Sequence, residues 1–244
     1  MSRRPASLHH WDPGEVPLEA KPESQADIAY RRIKRAVLEG ALPPGTQAAE
    51  QQIAVRLGMS RTPVHQAIVR LEQERWLELS PRRGISIAPI DPDEMSQIYQ
   101  ILMALEGTAA ANLARRPRGA ADGVDELLHA ANAECVAALE AGDLPAWAEA
   151  DHRFHTALVE NSGNMRLVQL VESVAEQAHR ARLLTVRLRP LPVTSNADHD
   201  AIIAAIEGRK PASARRALEA HRQRGIDTLV PILRAMVPRP TSLL

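Results

Sequence analysis

Along most of this chain apolar residues recur at steps of three and four, and the pattern breaks at glycine or proline. Residues 27–39 read as a first helix, with Ile28, Ile33, Val37 and Leu38 on a packing face and Arg31, Arg32, Lys34 and Arg35 outside. Gly40 ends it, and Pro43-Pro44-Gly45 makes a stiff turn. Residues 49–57 form a second helix with Ile53 and Leu57 inward. Gly58 stops that helix, because glycine takes a left-handed cap without steric cost. Ser60 is placed to cap a third helix running to about 75. Pro63 falls in its first turn, and Val64, Ile68 and Leu71 give it an apolar back. Residues 76–80 and 85–89 read as two short strands. Beyond Ile90-Asp91-Pro92-Asp93 every segment is helical by pattern, over 92–115, 120–141, 144–161, 164–188, 196–209 and 211–236, with Asp91 or Asp93 as a cap for the first.

The first three helices and the strand pair make a helix-turn-helix with a wing. The third helix leaves Arg61, Thr62, His65, Gln66 and Arg70 off its apolar face, and a short donor-rich helix of this kind suits a DNA major groove. Arg82, Arg83 and Gly84 form the wing tip, two charges and a residue that lets backbone approach a phosphate or the minor groove. Lys and Arg outnumber Asp and Glu by ten to six over residues 24–90, although the whole chain is neutral, with 30 of each sign. The expected architecture is mainly α. Residues 24–90 form the winged head, 91–93 a linker and 94–236 an all-α antiparallel bundle, with tails at 1–23 and 237–244.

Bulk properties narrow the class. Only 2% of the 244 residues are aromatic against 45% hydrophobic, so the cores are built from Leu, Ile, Val and Ala. Cys135 is alone, which excludes an intrachain disulfide and suits a reducing cytosol. No run approaches the ~18 apolar residues of a membrane span, and the first residues lack the apolar stretch of a signal peptide. A cytoplasmic protein without membrane contact is expected. His9 and His10 sit in the proline-bearing tail and need no role beyond it.

In the bundle, Leu144, Ala148, Asp151, His155 and Leu158 fall on one stripe. Asp151 and His155 interrupt its apolar character one turn apart, and buried polar groups need partners. Ser195 and Asp198 have capping-box spacing, which would put His199 in the first turn of a helix whose inward stripe includes Ile203 and Ile206. In the last helix Ala214, Leu218, His221 and Ile232 share a face. One carboxylate and three imidazoles, Asp151, His155, His199 and His221, would suffice for a divalent transition metal. Spacing alone leaves two readings open, a metal site or core histidines satisfied by their neighbours.

LPPGTQAAEQQIAVRLGMSRTPVHQAI, followed by RRGISIAP, resembles the GntR superfamily of transcription regulators over residues 26–89. An all-helical domain after such a head resembles the FadR subfamily with its FCD effector domain. Asp-His-Arg-Phe-His, Ser-Gly-Asn at 162–164, Asp-His-Asp-Ala-Ile-Ile-Ala-Ala-Ile and Glu-Ala-His match that pattern in order. The resemblance implies Asp151, His155, His199 and His221 as ligands to zinc, or to nickel or manganese, beside a small carboxylate effector. His152 and His179 do not match and are left as surface groups or groups beside the site. It also implies a homodimer on a double-stranded DNA operator, a repressor released when its effector binds.

Two departures stand out. The family's arginine after the Thr-Pro-Val is His65 here, and Gln51 stands where a relative has a DNA-contacting arginine. Arg61 and Thr62 therefore carry over as DNA contacts, Gln51 and His65 only as positions, and an operator unlike the common half-site is expected. Leu102 occupies a place where many FCD domains carry an effector-facing arginine. Two rival functions remain. A metal enzyme would need a catalytic partner, and no His-Glu-x-x-His, Gly-x-Ser-x-Gly or phosphate loop is present; Glu160 and Glu172 are near by sequence only. A DNA-binding protein whose bundle only dimerises is the other.

Overall fold

The computed structural model describes residues 23–80, 84–117 and 123–237. The head comprises α1 (Gln25–Leu38), β1 (Gln47–Ala48), α2 (Glu50–Leu57), α3 (Arg61–Gln73), β2 (Leu77–Ser80) and β3 (Gly84–Ile87). The bundle comprises α4 (Pro92–Ala114), α5 (Val124–Glu140), α6 (Leu144–Glu160), α7 (Met165–Thr185), α8 (Val193–Glu207) and α9 (Pro211–Met236). Among the described residues no helix is long and apolar enough to cross a membrane.

Ile33, Val37, Ile53, Val64, Ile68, Leu71, Trp76 and Leu77 close the core of the head. Gly58 takes the left-handed cap at φ +66°, as its sequence position requires. Ser60 occupies the cap position of α3 but makes no side-chain bond there, whereas Ser24 does cap α1 by accepting from Asp27 N at 3.1 Å. The sheet has the order β1-β3-β2, both pairs antiparallel, with Ala48 and Leu79 flanking Ile85. The two-residue β1 has too little periodicity to be read from sequence. It gives Gly84 a structural reason: at φ +74°, a Cβ there would stand 2.9 Å from the Ala48 carbonyl oxygen. Arg82, Arg83 and the end segments 1–22 and 238–244 lie outside the described residues.

In the bundle α4 packs along α9, while α5, α6 and α8 complete the wall around Leu102, Leu113, Leu128, Phe154, Leu158, Ile202, Ile203 and Leu218. Each such side chain contributes about 1.5–3 kcal/mol by leaving water. Asp91 caps α4 by accepting from the backbone of Asp93 and Glu94. The expected start of α8 is corrected. It begins at Val193 after Pro192, so Ser195 and Asp198 lie inside the helix and form no capping box, and His199 falls in the second turn. Proline has no N–H and a φ already suited to a helix entrance, so Pro192 starts the helix without a side-chain cap.

The second correction concerns Lys34, expected outside and found 8% exposed. Its ammonium is bonded to Glu176 of α7, lies 3.4 Å from Glu74 at the end of α3, and donates to Tyr30 Oη at 2.6 Å. Three further contacts join α7 or α4 to the head. Arg180 Nη2 donates to the Ala88 carbonyl (2.8 Å), Gln177 Nε2 to the Glu74 carbonyl (3.4 Å), and Arg75 Nη1 to Glu94 (2.5 Å). Lys34 thus sits at the seam with the bundle while Arg31, Arg32 and Arg35 stay exposed, a difference that helical periodicity cannot read.

Candidate metal centre and nucleic-acid interface

The N-terminal half of α3 stands proud of the head. Arg61, Thr62, His65 and Gln66 are exposed, as is Gln51 on α2. Their backing of Val64, Ala67 and Ile68 is fully buried, so the helix is held by one side and free on the other. Glu50 organises this face. Its Oε2 lies 3.0 Å from His65 Nδ1, and its Oε1 lies 3.8 Å from Arg61 Nε. A carboxylate only accepts, so His65 Nδ1 carries a proton toward it and Nε2 is the ring nitrogen that faces outward. Arg70 is committed to the head itself, stacked 3.7 Å over the Tyr30 ring and bonded to Glu74.

Inside the bundle the four residues singled out by sequence do meet. Asp151 and His155 come from α6, His199 from α8 and His221 from α9, all buried, with one donor atom from each within 4.8 Å of the others. Asn132 on α5 fixes one tautomer. Its Nδ2 donates to the Asn196 carbonyl (3.3 Å) and to Asp200 Oδ1 (2.7 Å), so its Oδ1 is the acceptor 3.1 Å from His199 Nδ1. His199 therefore carries its proton on Nδ1 and turns the Nε2 lone pair inward. Asp198 Oδ2, 3.3 Å from His221 Nδ1, sets the same tautomer there. Glu106 Oε2, 3.1 Å from His155 Nδ1 though off the hydrogen-bond line, favours it by charge in the third ring. Phe154 stacks on the His199 ring at 3.9 Å and holds its plane.

Lone pairs then face lone pairs. His155 Nε2 and His221 Nε2 are 3.1 Å apart, and Asp151 lies 3.7 Å from His199 Nε2 and 3.9 Å from His155 Nε2. Neighbouring ligands bonded at about 2.0–2.1 Å to one ion are about 3–3.5 Å apart. His199 Nε2 and Asp151 Oδ2 are buried and make no hydrogen bond, although Arg182 Nη2 stands 3.1 Å from the latter, and native interiors rarely keep such atoms unsatisfied. Protonation is equally suited to a cation. Burial would raise the Asp151 carboxyl, but Arg182 and the three imidazoles outweigh it and hold it well below the usual carboxylate range. Burial, then the Arg222 charge, holds His155 far below its ordinary value, and burial, then His221, takes His199 down to about 3. Neutral imidazoles and an ionised carboxylate are the states that ligate, so these residues could hold a divalent metal ion.

Several groups at the site escaped the sequence reading. Glu106 on α4 and Arg222 on α9 form a buried bidentate pair at 2.5 and 2.6 Å. Arg182 on α7 places Nη2 3.1 Å from Asp151 Oδ2. Asn132 and Asp198 orient the rings as described. The signal was present, since Glu106 and Arg222 each sit on an apolar stripe, four residues after Leu102 and Leu218. His152 and His179 pair with each other, rings stacked at 4.4 Å, with His179 Nε2 3.0 Å from Glu149; burial pushes both down to about 4. They stand apart from the four-residue cluster. A cavity of about 690 Å³ runs from His155 to Trp76 and Glu74 of the head, and Leu102 lines it as an apolar group. Glu160 and Glu172 are exposed residues of its wall.

Comparison with known proteins agrees with both halves. Residues 25–87 match the model of bacterial regulatory proteins of the gntR family, and residues 97–224 match the FCD domain. An HTH-type transcriptional regulator from the TAR-I ttuE-ttuC' intergenic region of Agrobacterium vitis is 47% identical over 135 residues, 55% of this chain and 79% of its own. The HTH-type transcriptional repressor RspR of Escherichia coli is 24% identical, over 80% of this chain and 84% of its own. The solved structure of Escherichia coli McbR/YncC shares the fold, with a TM-score of 0.71 at 21% identity, covering 88% of this chain and 99% of that one. The chain belongs to the gntR family, with an FCD domain behind its winged head, and is a DNA-binding transcription regulator.

Proposed function

We propose that the protein is a ligand-responsive repressor that acts in the cytoplasm as a homodimer on a double-stranded operator, and that Asp151, His155, His199 and His221 hold one divalent transition metal. Zinc suits the nitrogen-rich donor set best, with nickel or manganese as alternatives. Once bound, the ion would supply a positive centre that attracts a small organic acid. The observation that carries this reading is the buried, partnerless Nε2 of His199 opposite the carboxylate of Asp151. The repressor sense is that of the relative RspR.

On the head, Arg61, Thr62, His65, Gln66 and Gln51 read or flank the bases, and Arg82, Arg83 and Gly84 approach the backbone. Since Glu50 fixes the His65 tautomer, Nε2 would accept from an exocyclic amino group, adenine N6 or cytosine N4, where an arginine would donate to guanine. Two recognition helices in a dimer would multiply the few base pairs that one can read. Helix α7 supports coupling between the two halves. Arg182 meets Asp151 at the cluster, while Glu176, Gln177 and Arg180, up to two turns earlier, meet Lys34, Glu74 and Ala88 of the head. A ligand that shifts Arg182 would bias the seating of the head, a population shift. Gel-shift titration of the metal-loaded protein with small acids tests this. Weakened DNA binding by an acid that binds is expected, and unchanged affinity for every acid that binds would remove the coupling.

The 3.1 Å contact of His155 with His221 suits one rival, a dimerising bundle whose histidines satisfy each other, provided that one of the two rings carries its proton on Nε2 instead of Nδ1. That rival predicts ion-free protein and the same stability with or without chelator.

A further inference from the structure

The apolar cores of the head and the bundle share no residue, and the seam between them is held by charge. Lys34 of α1 and Arg180 of α7 are 8% and 7% exposed, and each stands over the ring of Trp76, at 5.0 and 5.7 Å. Lys34 is closed in by Glu176 of α7 and by Tyr30 and Glu74 of the head. Arg180 meets no carboxylate among the described residues. Its Nη2 donates to the Ala88 carbonyl, and Ala88 N donates in turn to the Trp76 carbonyl at 3.1 Å. Burial pushes the Arg180 guanidinium down to about 10. Arg75, the residue before Trp76, is held at φ +60° while its side chain reaches Glu94 of α4. A left-handed arginine is strained, and burying a cation without a carboxylate is costly. Neither feature helps the head or the bundle close its own core. Hydrogen bonds are directional where apolar contact is not, so this seam specifies an angle between the two halves.

We propose that Lys34, Glu176 and Arg180 are positioning residues that seat the head on α7 in one orientation and so fix the spacing of operator half-sites the protein accepts. The proposal rests on the homodimer reading, because spacing has meaning only for two heads. None of the three lies on the outward face of α3. They act on where the recognition helix is carried, and the bases it reads are left to Arg61, Thr62, His65 and Gln66. Opening the seam would return Lys34, Glu176 and Arg180 to water and leave both apolar cores closed, so the orientation can be lost without unfolding either half.

Gel-shift titration of the full-length protein on synthetic duplexes tests this. A half-site found by selection from random DNA is placed once, or twice at separations stepped by one base pair through a helical turn of about ten. The wild type should bind one separation best. Glu176→Gln and Arg180→Ala should flatten that preference and leave affinity for the single half-site unchanged. Arg180→Lys should keep part of the preference, and Arg166→Gln, exposed in the first turn of α7, should change nothing. Circular dichroism checks that each variant is folded, and the mass of the complex counts the chains bound. A wild type indifferent to separation, or a sharp preference that survives both Glu176→Gln and Arg180→Ala, would overturn the role of the seam. So would equal losses on single and paired half-sites, which mark damage to the head itself. The homodimer reading fails separately: one chain bound to the best paired duplex refutes it, and the spacing claim with it, whereas two chains with an unaltered profile refute the seam alone.

Discussion

His65 and His199 show how differently the two halves use the same side chain. His65 is exposed on α3, oriented by one carboxylate and backed by a helix whose stability comes from Val64, Ile68 and Leu71 on the far side. His199 is fully buried, stacked on Phe154 and held by Asn132, with its remaining nitrogen aimed at other donors. In the head, stability and recognition belong to opposite faces of one helix and can be changed separately. In the bundle the polar groups that would recognise a ligand are themselves core, so a change in one is a change in both.

That contrast can be broken at four points of decreasing size. Glu106→Ala would leave Arg222 buried and unpaired, and such losses cost about 3–5 kcal/mol; urea unfolding should show the bundle transition shifted by that much. Ile68→Ala removes a fully buried side chain from the head, a change of about 2–5 kcal/mol. DNA binding should fail in gel shifts while metal content is retained, whereas loss of both would mean the halves fold as one unit.

Acid should act on the bundle. His179 and His199 sit at about 4 and about 3 when folded, against an ordinary 6.5, so the unfolded chain binds their protons more readily. Their contribution is complete above pH 6.5 and is lost as pH falls toward 4 and 3. The Tm of metal-stripped protein should therefore drop steadily below pH 6.5; a flat profile would refute the buried neutral state. The smallest effect belongs to Arg61→Ala. Unfolding stability should stay within about 0.5 kcal/mol, while the salt slope of DNA binding falls by about one.

Much of this was legible in the chain because periodicity and punctuation are local. Gly58, Pro63 and the apolar back of α3 announce the helix-turn-helix, and a polar residue on the apolar stripe at Asp151, His155, His199 and His221 announces a buried polar centre. What was missed depends on contacts between distant segments. Lys34 looks like any solvated lysine until α7 covers it with Glu176. β1 is two residues that exist only because β3 pairs with them. Glu106 and Arg222 each break an apolar stripe, but only their meeting across α4 and α9 explains why both are tolerated. The start of α8 was misread because Ser195 and Asp198 have the right spacing for a cap, while Pro192 had already begun the helix.

Elemental analysis and X-ray absorption on purified full-length protein test the metal centre most directly, with His199→Ala measured alongside. One divalent ion per chain, bound by nitrogen and oxygen only and lost in the variant, is the expected result. Ion-free protein, or an ion that survives removal of His199, would contradict it.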